Sequence, residues 1–406
     1  MTRVRIAFVC EGFNRSSVVG QPWNYVSDIA RRMIARGNPS YVLTDGSPRI
    51  PKDEDIGGIS VRRISRGRLV FHLQEVCQNL NDADVDVIAW YGGLLSAQYF
   101  WQLRNSLRKN IAWNIYSGKL AFGDLRNLRC GDFFSIDNFW NNLLYSIIPP
   151  FTIRRGASVP QVRSIITQSR RLKDQLSAIG VEAGRILVIP PGVDTKVFRP
   201  RTSGREERRR MLGLDRSDPI VLYLGPPTSL RGADTAVCAI SKVIREIPSA
   251  KLVFLSRRPG GKRPNSIERM AGMQKATRIL TGIQTEESLV RLVSFADLVI
   301  LPFRFWPQIE CPSTILEAMA MEKPVITTNV GSIPEVVNHG TTGIIIPPGN
   351  ASALASAIVA ALRNEDLFSS MARRARRYVE KFHDLDVVVQ QTFDILESTI
   401  TSRMQG

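Results

Sequence analysis

Two doubly wound parallel-sheet α/β domains facing a central cleft are predicted by three features of this 406-residue chain. Strand-length apolar bursts alternate with helical patterns along nearly its whole length, as in parallel sheets wrapped by helices. The bursts fall into two sets on either side of Pro190-Pro-Gly-Val-Asp-Thr-Lys-Val-Phe-Arg-Pro200, where prolines and a glycine stop regular structure. The length also exceeds what one core usually serves, since single cores rarely grow beyond roughly 250 residues.

In chain order, Val4 to Cys10, Tyr41 to Thr44, Val85 to Trp90, Ile111 to Ile115, Ser164 to Thr167 and Ile186 to Ile189 read as strands of a first sheet. An amphipathic helix from Asn24 to Ala35, closed by Gly37, follows the first of them. Ile220 to Leu224, Lys251 to Leu255, Arg278 to Thr281, Leu298 to Leu301, Val325 to Thr327 and Gly343 to Ile346 read as a second sheet. Met371 to Met404 is helical in pattern, with an interruption from Phe382 to Leu385. Ligand sites of doubly wound sheets lie at the carboxyl ends of strands, so two such edges across a cleft would bring two substrates together.

Composition narrows the partners. Fifty-four basic against 37 acidic residues give +17, and the first 200 residues hold 27 basic and 16 acidic, a balance of +11. That field favours an anionic partner: nucleic acid, an anionic membrane surface or a phosphorylated substrate. No nucleic-acid module with aromatics interleaved among basic residues is present, which argues against the first. The cysteines, at 10, 77, 130, 238 and 311, are odd in number and lack zinc spacing, so a reducing, cytoplasmic compartment is expected. No apolar run reaches the length of a membrane span. Two segments that mix arginines with apolar residues, Val61 to Phe71 and Phe139 to Arg155, suit peripheral contact with an anionic membrane, although burial in the protein's own core explains their apolar residues equally well. Asp82-Ala-Asp84-Val-Asp86 mimics a metal-binding cluster but stands just before a buried strand, where polar loop residues are ordinary; no metal is expected.

Chemistry is concentrated between Glu310 and Glu335. Pro312, Ser313 and Thr314 supply a helix start, and Ile315, Leu316, Ala318, Met319 and Ala320 give the helix one apolar side. The first amides of such a helix are unpaired and its dipole is positive there, which suits a diphosphate. Glu317, about one turn in, is placed to accept hydrogen bonds from ribose hydroxyls, and Glu310, in the preceding loop, to reach sugar hydroxyls.

This segment resembles the carboxylate-pair motif of the GT-B glycosyltransferases, in particular the large retaining family of glycosyl transferases group 1, or family 4. The likeness runs on through Lys323-Pro-Val-Ile-Thr-Thr-Asn-Val-Gly-Ser-Ile-Pro-Glu335 to Gly349. Six residues separate Glu310 from Glu317, where the family usually has seven. The resemblance implies a GT-B fold: residues 1–190 with 384–406 as the acceptor-side domain, 191–200 as linker and 201–383 as the nucleotide-sugar domain. It implies transfer of a sugar from a nucleoside diphosphate to a hydroxyl of a glycan, lipid-linked or small-molecule acceptor, without cofactor or metal. Rivals are a catalytically idle binding subunit and a nucleotide-sugar epimerase.

On the same basis, Gly225, Arg231 and the amides of Ser313, Thr314 and Ile315 would hold the diphosphate, with Gly20 in the first strand-helix loop near it. Pro226 stands where the family commonly has arginine, and Arg231 where it has lysine, so a second cation such as Arg304 would have to assist. Gly282 and Ile283 would hold the base, while Tyr116 and Ser117 replace a frequent histidine near the reacting sugar. Arg231 and Glu310 are the residues expected to act on the reaction itself.

Overall fold

The structure, a computed structural model, describes residues 3–18, 23–47, 50–116, 148–201, 212–215, 217–257, 275–283, 285–305 and 312–401. Eight strands form the first sheet: β1 (Ile6–Cys10), β2 (Ser40–Thr44), β3 (Asp53–Asp55), β4 (Ser60–Arg63), β5 (Val87–Tyr91), β6 (Asn110–Ile115), β7 (Val162–Thr167) and β8 (Ile186–Val188). Their order is β3-β4-β2-β1-β5-β6-β7-β8, and every pairing is parallel except β3 with β4. The second sheet holds β9 (Ile220–Leu224), β10 (Lys251–Leu255), β11 (Thr277–Leu280), β12 (Leu298–Leu301), β13 (Val325–Thr328) and β14 (Ile344–Ile346). It is wholly parallel, in the order β11-β10-β9-β12-β13-β14. In both orders the first strand of the set lies inside the sheet, so the chain reverses direction beside β1 and beside β9. A crevice opens at the carboxyl end of such a reversal.

Continuous apolar runs make these strands because both faces are covered. Ala7 and Val9 enter one apolar cluster with Trp90 and Trp113, whereas Ile6 and Phe8 enter another with Ala89 and Tyr91. The second sheet alternates in the same way, Leu222 and Leu224 to one side, Val221 and Tyr223 to the other.

Two strands at one side of the first sheet, β3 at its edge and β4 next to it, depart from the expected set. Asp53-Glu54-Asp55 has no apolar residue, and Ser60–Arg63 overlaps the segment expected to suit a membrane surface. They form because Arg63 is buried and ion-paired with Glu54, which Arg15 also contacts through Nε at 3.1 Å. Val61, Ile64 and Leu69 are buried as well, so core packing accounts for most of that segment's apolar residues. Phe71, 77% exposed, is the exception. Of the other arginine-bearing segment only residues 148–155 are described, and there Phe151 is exposed. Asp84 and Asp86 are engaged by Arg5, whose Nε donates to Asp86 Oδ2 at 3.0 Å. Among the described residues no group of three or more His, Cys, Asp or Glu is placed to hold a metal.

The chain crosses between the domains twice at one place. Val193 donates to the His383 carbonyl (2.9 Å), and Leu385 donates to that of Val193 (3.0 Å). Helix Glu365–Phe382 ends there, and helix Leu385–Thr401 turns back onto the first sheet. Leu385, Val388, Val389, Phe393 and Leu396 share the apolar cluster of Ile6 and Phe8, and Asn110 Nδ2 donates to the Thr399 carbonyl at 3.0 Å. Arg32 of helix Trp23–Ala35 pairs with Asp194 of the linker and, at 3.0 Å, with Asp386. A second tie lies elsewhere: the Glu335 carboxylate accepts from the amides of Arg170 (2.8 Å) and Arg171 (2.9 Å) at the start of helix Arg170–Ala178. Ser169 takes the next free amide, that of Leu172, so a residue of the second domain completes the cap of a helix in the first.

Two outcomes are expected. Glu335→Ala removes both charge-assisted bonds and should lower unfolding stability by about 1 kcal/mol, the scale of a lost helix cap, measurable by urea denaturation. His383 is buried with Nδ1 3.0 Å from the Pro191 carbonyl oxygen, and burial holds its pKa below the ordinary 6.5 despite that bond. The unfolded chain therefore takes up the proton more readily, and stability falls as pH drops below about 6.5. His383→Asn should lack this part of the decline when denaturation is compared between about pH 8 and pH 5.

Candidate active site

The second sheet ends in a row of loops at the carboxyl edge of adjacent strands. Tyr223, in the core of β9, sends its hydroxyl to the Arg231 carbonyl (3.2 Å) and the Pro226 carbonyl (3.4 Å), pinning both ends of the loop between them. Gly225 opens that loop at φ +129, and its amide donates to the Leu255 carbonyl at 2.7 Å, fastening the end of β9 to the end of β10. A side chain at position 225 would run into the Arg231 guanidinium, with its Cβ 2.1 Å from Nη1. Arg231 therefore lies across Gly225, and its charged end also faces the Phe303 ring, 5.4 Å from the centroid. Gly232, at φ +74, caps helix Ala233–Glu246, and a Cβ there would sit 1.8 Å from the Pro302 carbonyl oxygen, so the close approach of these loops requires glycine.

Arg304, the cation expected to assist Arg231, is engaged elsewhere. Its guanidinium is buried and donates to Asp234 Oδ2 at 3.1 Å, so its charge is matched within the domain.

Helix Ser313–Ala320 begins beside this row, with Pro312 as a cap that offers no side-chain acceptor. The amides of Ser313 and Thr314 make no hydrogen bond among the described residues, and neither does Thr314 Oγ1, which is buried. The Ile315 amide donates to the Pro312 carbonyl at 3.1 Å and its side chain is fully buried, so Ile315 contributes packing rather than an open donor. The site's anion-binding capacity at this helix thus rests on two amides and one dipole end.

Glu317 is 3% exposed. Its Oε1 accepts from Arg257 Nη1 (3.2 Å) and from Ser313 Oγ (3.3 Å), whereas Oε2 is buried with no partner. A buried carboxylate oxygen left unsatisfied is costly, and it marks a place where a hydroxyl donor fits. Arg257 was not singled out by motif; the signal available was its position two residues beyond Leu255, at the carboxyl end of a central strand. Gly282, at φ +76, and Ile283 follow β11, and the Ile283 amide donates to the Ser256 carbonyl at 3.2 Å, which places their loop next to Arg257. Glu286, the first residue of the helix that follows, has its carboxyl pushed up by burial, lowered by Arg257 and raised again by Glu317.

In the first domain Tyr116 directly follows β6, half-buried. Gly20, Ser117 and Glu310 lie outside the described residues. The structure thus brings Gly225, Arg231, Gly282, Ile283, Ser313, Thr314 and Glu317 to one edge of the second sheet, and Tyr116 to the corresponding edge of the first.

Known proteins match on both halves. The model of Glycosyltransferase Family 4 matches residues 23–197 and that of Glycosyl transferases group 1 matches residues 218–364. Among curated relatives, the chain is 26% identical over 375 residues to an alpha-D-kanosaminyltransferase of Streptomyces kanamyceticus, covering 86% of this chain and 92% of that protein. It is 28% identical over 382 residues to a D-inositol 3-phosphate glycosyltransferase of Acidothermus cellulolyticus, covering 88% of this chain and 81% of that protein. In fold it superposes on sucrose-phosphate synthase from Thermosynechococcus elongatus with a TM-score of 0.78, at 20% identity over 99% of this chain and 100% of the other. Anabaena HepE in complex with UDP-glucose gives 0.74 at 17% identity, over 98% and 100%. With two facing-type parallel sheets, a carboxylate and helix terminus at the carboxyl edge of the second, and family models matched on both halves, the chain belongs to the GT-B glycosyltransferases of group 1 and family 4.

Proposed function

We propose that the protein is a retaining glycosyltransferase that moves a sugar from a nucleoside-diphosphate sugar to an acceptor hydroxyl. The observation that carries this reading is the buried Glu317 carboxylate, whose Oε2 has no partner, beside a helix start with two amides unused among the described residues. One anionic group and one hydroxyl-bearing group, a fixed distance apart, complement such a pair, and a nucleoside diphosphate carries both. A structural neighbour solved with UDP-glucose supports the same donor class.

The roles follow from charge. Ribose hydroxyls donate to Glu317 Oε2, and the diphosphate lies against the Ser313 and Thr314 amides and the Arg231 guanidinium. Negative charge grows on the diphosphate as the bond from the sugar's anomeric carbon to its phosphate oxygen breaks. Donors already aimed at that oxygen stabilise the transition state more than the ground state. Arg231 suits the task because its planar fork meets phosphate oxygens in pairs. The acceptor oxygen attacks on the face the phosphate leaves, which retains configuration, and the acceptor proton passes to the departing phosphate. In this reading neither a metal nor a protein base is required. The acceptor is a glycan, a lipid-linked molecule or a small molecule, approached from the first domain near Tyr116.

Arg231→Ala should lower turnover about a hundredfold or more, the scale for losing one preorganised charge stabiliser, with the melting temperature nearly unchanged; unaltered turnover removes Arg231 from the reaction. Glu317→Ala should weaken nucleoside-diphosphate binding by about tenfold or more, the scale of hydrogen bonds to a charged acceptor, as read by calorimetric titration.

A further inference from the structure

The least expected contact at this edge is the ion pair of Glu317 with Arg257, which arrives from a different strand and loop. Glutamate's terminal torsion is broad, so a carboxylate held at one oxygen only by its own helix can swing. Here Oε1 is held from two directions, by Ser313 Oγ one turn earlier in the helix and by Arg257 Nη1 from beyond β10. Arg257 is itself anchored at the backbone. Ser256, the residue before it, donates to the Leu280 carbonyl (2.9 Å) and accepts from the Ile283 amide (3.2 Å), so the loop after β11 fixes where Arg257 starts. Its side chain is only 27% exposed, and its charge acts on the Glu286 carboxyl as well as pairing with that of Glu317.

We propose that Arg257 is a positioning residue for the donor: by fixing Oε1 of Glu317 it presents Oε2 to the ribose hydroxyls. This rests on the assignment of Glu317 to ribose. An ionised carboxylate is an acceptor only, and both ribose hydroxyls are donors to it. Arg257 engages one oxygen of a carboxylate that is 3% exposed, and it leaves the other for the ligand. Arg257 touches no reacting atom in this account; its effect reaches the nucleotide through Glu317. It also separates the two cationic duties of the site, since Arg231 meets the diphosphate while Arg257 serves the ribose end.

The test is discrimination between ribose and a ribose without its hydroxyls. The intact protein is titrated with UDP, GDP and ADP, then with the 2′,3′-dideoxy form of whichever binds most tightly. Wild type should favour the ribonucleotide by about tenfold or more, as hydrogen bonds to a charged group imply. Arg257→Ala should reduce that ratio to within about threefold, mainly by weakening the ribonucleotide. If Arg257→Ala weakens both nucleotides equally and the ratio survives, or if neither changes, the positioning role is overturned. Should the alanine variant fail to fold, Arg257→Gln, polar but shorter and without charge, supplies the same comparison. A wild-type ratio near one would instead overturn the ribose assignment of Glu317 itself, so the two failures are told apart.

Discussion

A carboxylate almost wholly removed from water governs how the second domain is built around its ligand edge. Leaving a buried charge unpaired costs roughly 3–5 kcal/mol, a sizeable part of the 5–15 kcal/mol that usually holds a whole domain together. Glu317 is tolerated at 3% exposure because Arg257 and Ser313 share one of its oxygens. The second oxygen remains unsatisfied. A buried acceptor left open in this way is a poor contributor to stability.

The surrounding loops are arranged to keep that edge compact. Tyr223 fixes the loop between Pro226 and Arg231 from below, the Gly225 amide joins β9 to β10, and the Ile283 amide joins the β11 loop to Ser256. Each is a backbone tie between neighbouring strand ends. Glycines at 225 and 232 allow the chain to pass where a Cβ would strike Arg231 or the Pro302 carbonyl. These backbone ties contrast with the side-chain contacts around the linker and Glu335: Arg32 with Asp194 and Asp386, Lys196 with Asp386 at 2.8 Å, Glu335 on the helix that starts at Arg170. Of these, Lys196 with Asp386 is the most exposed, and ion pairs of that kind are individually weak.

Much of the architecture was legible because parallel sheets buried on both faces write long apolar runs. The bounds of β9, β10 and β12 coincide with the expected ones, and most others differ by one or two residues at their ends. Strands β3 and β4 were illegible for the opposite reason. Asp53 to Asp55 carries no apolar residue, and the arginines of Ser60–Arg63 resemble a solvated or membrane-facing segment until Arg63 is seen paired with Glu54. An edge strand stabilised by an ion pair leaves no periodic trace. Pro226 in place of a family arginine pointed to a missing cation, for which Arg304 was one candidate; it is paired with Asp234 instead.

By itself the sequence determined the two sheets and the helix that opens at Ser313, because periodicity and capping residues are local properties. Only the tertiary structure decided which charges meet. Arg257 and Glu317 are sixty positions apart and Arg170 and Glu335 still further, and no local pattern records such pairs. Coulomb and hydrogen-bond energies depend on distance in space, and that distance is set by how strand ends are brought together when the sheets form.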